Sequence, residues 1–293
     1  MRGTLHLVAA DDARWLLRLF GPLNAARDAT RRAQTGLDDA LCERAIASIR
    51  RALSDGPLTR HQLRDWLEAR GITVPHGQAM IHLLALAAYR GVLVLTEQIG
   101  RFNTFALLDD VVQGDQTALR RERAETELAR RYFAAYAPAG LADFRTWSGL
   151  PMSVARPAVA AIGDELEPVP APIPGLMRLR SSERFTADGR APSVRLLPYF
   201  DTYLLGYRNR DAMIQADRTA HIYSGGWINP TLSVDGHLEG AWRLRRGSRE
   251  AVVELTPFGT LQRGVPRLLQ DEVGRLGRFL EMPARLETAS AVP

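Results

Sequence analysis

The sequence contains no lysine and only one cysteine, Cys42. The missing lysines exclude a Schiff-base lysine, a phosphate-loop lysine and a lysine general base. A single thiol cannot form a disulfide within the chain or a cysteine-based zinc site, so a reducing compartment is expected. No apolar run reaches the roughly 18 to 20 residues that a membrane span needs. Together these absences predict a cytoplasmic protein without a membrane partner.

Several common catalytic and cofactor motifs are also missing. The six histidines show no His-Glu-x-x-His spacing, which is the spacing that places two histidines on one helix face around zinc. There is no Gly-x-Ser-x-Gly elbow, no Walker sequence and no glycine fingerprint for a dinucleotide. We therefore expect no metal ion and no cofactor, and the catalytic residues are unknown from these patterns.

The positive charge of the chain comes entirely from arginine. All 38 basic residues are arginine, and the formal net charge is +5. A high-GC genome would by itself favour arginine codons, so the composition has a neutral explanation. The charge is also compatible with a phosphate-rich partner such as double-stranded DNA.

The clearest structural pattern lies in residues 37–108, within a domain predicted at 37–115. Apolar stripes predict three helices, the second capped by Thr59, and two strands follow at 92–95 and 102–106. Three helices followed by a hairpin is the order of a winged helix. A weaker copy of the same order fills residues 120–185, so two tandem winged helices are predicted.

The flanking segments complete a predicted α+β architecture. Residues 4–8 alternate like a half-buried strand, and a helix capped by Asp11 or Asp12 is expected to stop at Gly21-Pro22. Because the chain opens inside an apparent strand, residues 1–36 are interpreted as the remnant of a further winged-helix unit. Residues 186–282 are predicted to form an antiparallel β-barrel-like domain closed by one helix at 266–280, with 283–293 as a frayed tail. Its short strands are expected to be separated by turns at Asp188-Gly189, Asn209-Arg210-Asp211, Asp235-Gly236 and Arg246-Gly247.

Three ordered motifs carry a resemblance to a known family. They are Arg2–Val8, Leu197–Arg210 and Val234–Arg243. The chain resembles the bacterial winged-helix DNA-binding family that includes the alkylpurine and interstrand-crosslink DNA glycosylases. That resemblance implies tandem winged helices packed around a C-terminal β-barrel, with a concave surface that binds DNA.

The sequence departs from the family where the catalytic group is expected. The family's glycosylases carry a Gln-x-Gln or Gln-x-Asp motif upstream of the Arg-Gly-Thr segment, and this sequence begins at that segment. The motif and the first winged helix are therefore expected to be absent. Gln113-Gly114-Asp115 matches the string, but we interpret it as a chance match in a linker.

Candidate DNA-contacting residues fall in the same motifs or directly after the last one. Arg2 is assigned to a phosphate and His6 to the nucleotide or to water; in the alternative, His6 and Thr4 satisfy hydrogen bonds within a strand. Further candidates for phosphate contacts are arginines of the two later motifs and of the hairpin that follows them: Arg208, Arg210, Arg243, Arg245 and Arg246.

Asp201 and Tyr203 are candidate lining residues of an active site. Asp201 either forms a buried structural pair with Arg208 and Arg210 or orients these arginines towards phosphates. Trp242 is assigned to the core rather than to a platform for base stacking.

The third predicted helix is a weak candidate for insertion into the major groove. His76, Gln78 and His82 precede or begin it, in the position of a recognition helix. The helix is very apolar, however, and no arginine appears in it before Arg90. It is therefore interpreted as a scaffold.

Three functions remain open at the level of sequence. The first is a DNA-binding protein of the glycosylase family that is catalytically incomplete in these residues. The second is a monofunctional alkylpurine or crosslink glycosylase of base-excision repair that needs residues upstream of Met1. The third is a winged-helix transcriptional regulator, against which the apolar third helix argues. In each case the expected partner is double-stranded DNA and the expected state is a monomer.

Overall fold

The computed structural model describes residues 1–113, 119–170, 173–182 and 193–290. The chain divides into two compact units. Unit 1 consists of Met1–Arg131 and Pro151–Ile162, and unit 2 consists of Tyr132–Leu150 and Gly163–Pro293. The observed class is mixed α+β, as expected. The two units cut across the predicted five-part division of the chain, which stays a prediction.

The helices and strands within the described ranges have the following bounds. The helices are α1 Ala10–Gln34, α2 Asp39–Ala52, α3 Arg60–Glu68, α4 Ala79–Tyr89, α5 Leu108–Val111, α6 Arg121–Tyr136, α7 Leu141–Ser148, α8 Met152–Ala160, α9 Thr202–Leu205, α10 Thr219–Ile222 and α11 Val265–Phe279. The strands are β1 Leu58–Thr59, β2 Leu93–Ile99, β3 Phe102–Leu107, β4 Leu166–Pro168, β5 Met177–Leu179, β6 Val194–Leu197, β7 Tyr223–Ser224, β8 Trp227–Ile228, β9 Thr231–Val234, β10 His237–Arg246, β11 Ala251–Pro257 and β12 Ala284–Thr288.

Local capping signals set the helix starts in unit 1. The Asp38 carboxylate accepts a hydrogen bond from the Leu41 amide and begins α2. Thr59 and Gln62 form a reciprocal capping box at the start of α3, as the sequence predicts for Thr59. The helices α2, α3 and α4 enclose one apolar core, and β1, β3 and β2 form a small sheet in that order. The three helices and the hairpin expected between residues 37 and 108 are therefore present.

The N-terminal region of unit 1 differs from the prediction. Residues 1–9 form no strand, and Leu5 and Leu7 are exposed, so the predicted half-buried strand is wrong. The helix α1 does not stop at Gly21-Pro22 but continues through Pro22 to Gln34. Asp11 and Asp12 lie in its first turn rather than at its N-cap, where acidic side chains still oppose the helix dipole favourably.

Packing against α4 explains why α1 is long. A Cβ atom built on Gly21 would lie 2.1 Å from the carbonyl oxygen of Tyr89, so the two backbones meet at this glycine. Trp15, Leu19 and Phe20 are buried on α1. This buried area stabilises the part of α1 before Pro22, and the close contact at Gly21 holds the helix against α4 next to the proline, although proline removes one backbone hydrogen bond from a helix interior.

Unit 2 contains an open five-stranded sheet in the order β12-β11-β10-β9-β6. The β9–β10 hairpin turns at Asp235 and Gly236, which both have positive φ, as a type I′ turn requires. The helix α11 packs Val265, Leu269 and Val273 onto the sheet.

The predicted antiparallel barrel is wrong for the described strands. The sheet they form is open, and β12 runs parallel to β11. The predicted frayed tail is also wrong at residues 284–288, because β12 occupies that segment. Parallel pairing needs a long crossover, here α11, so no local turn signal announces it. Asn209-Arg210-Asp211 was expected to be a hairpin turn, but it follows α9 and joins no two strands. The predicted turn at Asp188-Gly189 lies outside the described residues.

Candidate nucleic-acid interface

The N-terminal motif is an exposed segment with internal hydrogen bonds. His6 Nε2 lies 2.9 Å from Thr4 Oγ1 and 3.1 Å from the Met1 carbonyl oxygen. Desolvation lowers the pKa of His6, which favours a neutral imidazole at neutral pH. Arg2 has positive φ. These contacts match the hydrogen-bonding alternative for Thr4 and His6, but without the strand that was predicted to hold them.

Asp201 acts as a helix cap and does not pair with the neighbouring arginines. Its Oδ1 accepts a hydrogen bond of 2.8 Å from the Tyr203 amide at the start of α9. The Tyr203 hydroxyl donates to the carbonyl oxygen of Gly236 at 2.9 Å, and burial raises the pKa of Tyr203. Asp201 forms no ion pair with Arg208 or with Arg210, so the predicted buried structural pair is wrong. The alternative, in which Asp201 orients these arginines towards phosphates, stays a prediction. In this structure the side chains of Asp201 and Tyr203 make local structural contacts.

Arg208 and Arg210 differ in the contacts that their side chains make within the protein. The Nε of Arg210 donates to the Leu204 carbonyl oxygen at 2.8 Å, and its guanidinium lies 4.7 Å from the centre of the Tyr223 ring. Arg208 contacts the described part of the chain through its backbone amide, which donates to Asp143 Oδ1 at 2.9 Å. The side chain of Arg208 is exposed and is therefore the more available of the two for a phosphate.

The arginines of β10 lie opposite carboxylates that sequence reasoning missed. Arg245 Nε is 2.9 Å from Glu254 Oε1, and Arg245 Nη2 is 3.3 Å from Glu287 Oε2. Arg243 also contacts Glu254, at 3.3 Å. The hydrogen bond from Arg245 holds the pKa of Glu254 below its usual value. Arg246 is exposed and makes no ion pair with a described residue. The pairing register of β10, β11 and β12 brings these groups together, and that register cannot be read from the order of the residues.

A pocket of about 480 Å³ opens beside these ion pairs in unit 2. Its wall includes Tyr199, Asn229, Trp242, Glu254 and Glu287. Trp242 is buried and donates from Nε1 to the Leu197 carbonyl oxygen at 2.9 Å. Its assignment to the core is confirmed.

Exposed aromatic rings lie beside that pocket. Tyr199, Phe200 and Trp227 form an exposed aromatic patch in unit 2. Their ring centres are 6.1 Å apart for Tyr199 and Trp227, and 5.4 Å apart for Phe200 and Trp227. Exposed rings of this kind can stack on unpaired bases.

The helix α4 is committed to protein packing. His82 Nδ1 lies 2.9 Å from Asp28 Oδ1 on α1, and Gln78 Oε1 accepts a hydrogen bond of 2.9 Å from Arg31. The helix also buries Met80 and Leu83 in the core of unit 1. Two of the three residues proposed to face base edges therefore contact α1. This arrangement agrees with the interpretation of α4 as a scaffold.

Two tripeptides match the catalytic string of the family. Gln113 ends a described range, and Gly114 and Asp115 lie outside the described residues. A second match, Gln215-Ala216-Asp217, was missed in the sequence, and a plain search for the string would have found it. It begins the 3₁₀ turn Ala216–Arg218, where Gln215 and Asp217 are both exposed. An exposed pair cannot hold one water molecule in place as an enclosed pair can.

No metal site or membrane span is found within the described ranges. They contain no group of three or more His, Cys, Asp or Glu side chains positioned to bind a metal ion. Their helices include none that is both long and apolar enough to cross a bilayer.

An α+β fold that carries three family motifs between Arg2 and Arg243 points to the class of DNA glycosylases. Residues 1–279 match the family described as DNA glycosylase AlkZ-like, and the chain belongs to this family. The interstrand DNA cross-link repair glycosylase of Streptomyces sahachiroi is 27% identical over 292 residues, which are 95% of this chain and 77% of that protein. The solved structure of the Streptomyces sahachiroi DNA glycosylase AlkZ has the same fold, with a TM-score of 0.77 and 24% identity. That likeness covers 98% of this chain and 80% of the other. The glycosylase family inferred from the motifs is thus confirmed.

Proposed function

We propose that this chain binds double-stranded DNA as a member of the DNA glycosylase family. The observation that carries this proposal is the family match over residues 1–279. The relative from Streptomyces sahachiroi is named for the repair of interstrand DNA cross-links, so modified duplex DNA is the substrate class that we propose here. The net charge of +5 is compatible with a polyanionic partner.

The exposed arginines supply the proposed phosphate contacts. Arg208 and Arg246 are exposed and make no ion pair with a described residue. Arg2 and His6 keep their proposed places on the interface. Arg210, Arg243 and Arg245 are proposed as weaker contributors because protein groups already hold their guanidinium groups.

The winged-helix interpretation is part of this proposal. The order α2, β1, α3, α4, β2 and β3, with a sheet in the order β1-β3-β2, supports one winged helix at 37–115. The chain order α6, α7, α8, β4 and β5 is the order expected for a second at 120–185. A monomer with residues 1–36 belonging to a further such unit completes the proposed organisation.

A salt titration tests duplex binding. Fluorescence anisotropy with a labelled duplex of about 20 base pairs should show an affinity that falls about one power of salt for each phosphate contact, between about 50 and 200 mM salt. Unrelated sequences should give similar affinities, because phosphate contacts carry no sequence information. Absence of binding at the lowest salt concentration would refute the proposal. Strong preference for one sequence would instead favour a transcriptional regulator.

Removal of a modified base is the second candidate function, favoured by the family to which the chain belongs. An N7- or N3-alkylated purine is already a cationic leaving group. Its release therefore mainly requires a held water and stabilisation of a positively charged sugar. The described residues place no enclosed Gln-x-Gln or Gln-x-Asp pair that could do this. We therefore assign DNA binding to these residues and leave excision as the activity tested below.

A further inference from the structure

The hairpin between β2 and β3 exposes two apolar side chains at its tip. Ile99 is 60% exposed and Phe102 is 43% exposed, and they are directly paired across the antiparallel ladder. Gly100 and Arg101 make the connecting turn, with Gly100 at positive φ. Because Ile99 and Phe102 are exposed to solvent, they do not gain the free energy that burial in a core provides. The tip is thus unlike the rest of the apolar residues of unit 1, most of which face its core.

Two neighbouring side chains hold the Phe102 ring in a fixed orientation. The imidazole of His61, in the first turn of α3, meets the ring edge to face at 5.7 Å between centroids. The guanidinium of Arg101 lies 5.2 Å from the ring centre. A hydrogen bond of 2.8 Å from Gln98 Nε2 to Asn103 Oδ1 ties the two strands together one pair further in. The exposed ring is therefore preorganised, which lowers the entropic cost of binding through it.

The positive charge of Arg101 at the hairpin tip favours DNA as the binding partner. Residues 98–103 carry Arg101 and no acidic residue, and Glu97 is the nearest carboxylate along the hairpin. Proteins that bind the minor groove of DNA insert apolar wedges such as Phe or Ile between base pairs, with arginine in the narrow groove beside them. Because its two strands lie only about 4.8 Å apart, the hairpin has a narrow tip that can enter a groove. An apolar pair beside a single arginine matches a polyanionic groove better than it matches a second copy of the same tip, which would bring two arginines together.

We propose that the β2–β3 hairpin is a minor-groove wedge. In this arrangement Ile99 and Phe102 press between two neighbouring base pairs and unstack them, and Arg101 lies in the groove next to the phosphates. Unstacking would make a nucleotide near the hairpin easier to examine or extrude. The inference rests on the proposed duplex binding, and it assigns a role to a hairpin that the family motifs do not include.

The test uses a duplex that contains 2-aminopurine, whose fluorescence rises when its stacking is lost. The full chain should increase this fluorescence on binding. Phe102→Ala should abolish most of the increase and weaken binding about tenfold, which corresponds to about 1.4 kcal/mol. Ile99→Ala should act in the same direction. Phe279→Ala, which truncates an 82% exposed ring in unit 2, is the matched control and should change neither signal.

The possible outcomes separate the wedge from the proposed function. Duplex binding without any rise in fluorescence, or a rise that survives the double variant of Ile99 and Phe102, would overturn the wedge and leave duplex binding intact. No binding by the unaltered chain would refute the proposed function itself. If Phe102→Asp instead turned a dimer into a monomer in light scattering, the tip would be an interface between copies and the wedge would be wrong. Circular dichroism checks that each variant is folded.

Discussion

At the scale of single residues, two adjacent arginines of β10 are expected to differ in their contribution to DNA binding. Arg245 is balanced by Glu254 and Glu287, whereas exposed Arg246 has no ion-pair partner among the described residues. A phosphate contact by Arg246 therefore replaces only water. Arg246→Ala should weaken duplex binding on all sequences and reduce the salt slope by about 1. Arg245→Ala is the matched comparison.

The comparison is read from anisotropy titrations at several salt concentrations. Arg245→Ala should have the smaller effect, because its guanidinium group must leave two carboxylates before it reaches a phosphate. An equal loss for the two variants would mean that the ion pairs around Glu254 rearrange on DNA, contrary to this expectation.

A half-buried tyrosine, Tyr207, makes the stability of unit 2 sensitive to alkaline pH. The Tyr207 hydroxyl donates to the Tyr136 carbonyl oxygen at 2.8 Å, and burial, followed by the neighbouring Tyr203, raises the pKa of Tyr207 to about 12. An unfolded tyrosine ionises near pH 10, so the folded state binds more protons between about pH 10 and 12. The contribution of Tyr207 is complete below about pH 10, and the free energy of unfolding should fall as the pH rises through this range.

Tyr207→Phe isolates the contribution of this hydroxyl. At neutral pH the variant should lose about 1 kcal/mol with the hydrogen bond. Between about pH 10 and 12 its stability should fall less steeply than that of the unaltered chain. Urea denaturation at several pH values measures both effects. Parallel stability curves for the two proteins would show that Tyr207 does not control the alkaline loss.

At the scale of elements, sequence signals predicted helix starts, apolar faces and tight turns well, because neighbouring residues determine these features. The cap at Thr59, the apolar stripes of α2 and α4 and the β9–β10 turn could all be read from neighbouring residues. Pairings across long distances could not. The continuation of α1 depends on its contact with Tyr89, and β12 depends on parallel pairing with β11.

Two helical glycines should respond to alanine in opposite directions. Gly21→Ala places a Cβ 2.1 Å from the Tyr89 carbonyl oxygen and should destabilise unit 1 by about 1–3 kcal/mol or more through the shift this forces. Gly274→Ala in α11 meets only the end of the Arg278 side chain, at 3.8 Å. It should stabilise unit 2 by about 0.5–1 kcal/mol, because alanine restricts the unfolded chain. Chemical denaturation checks both. Similar effects of the two variants would contradict the close contact between α1 and α4.

At the scale of the whole molecule, the motifs predicted the family correctly but not the contacts of their residues. Arg2–Val8, Leu197–Arg210 and Val234–Arg243 pointed to the DNA glycosylases, as the match over residues 1–279 confirms. Within those motifs, Asp201 caps a helix and Arg210 binds a backbone carbonyl. A motif reports ancestry, whereas the use of each side chain depends on the register and packing of distant strands.

The final prediction concerns catalysis by these 293 residues. With duplex DNA containing N7-methylguanine, the chain should bind but should not release the base faster than the DNA does alone. The reason is that Gln215 and Asp217 are exposed and no described Gln-x-Gln or Gln-x-Asp pair is enclosed with a site for water. Chromatography of released bases measures the rate, and alkaline treatment separates an intact abasic site from a cleaved strand.

The variants Gln113→Ala and Gln215→Ala test whether either tripeptide carries catalysis in this assay. Release that is lost only in Gln215→Ala would place catalysis at the 3₁₀ turn of unit 2, and loss only in Gln113→Ala would place it at the first tripeptide. Release that survives both substitutions would make Arg2, His6 and Asp201 the next candidates, and each of these three outcomes would contradict the prediction. In every case no lysine is present to form a Schiff base with the abasic sugar. The terminal amine is the one amine that the sequence leaves for this reaction. If it takes no part, strand scission should appear only after alkali, and borohydride should trap no covalent complex with the DNA.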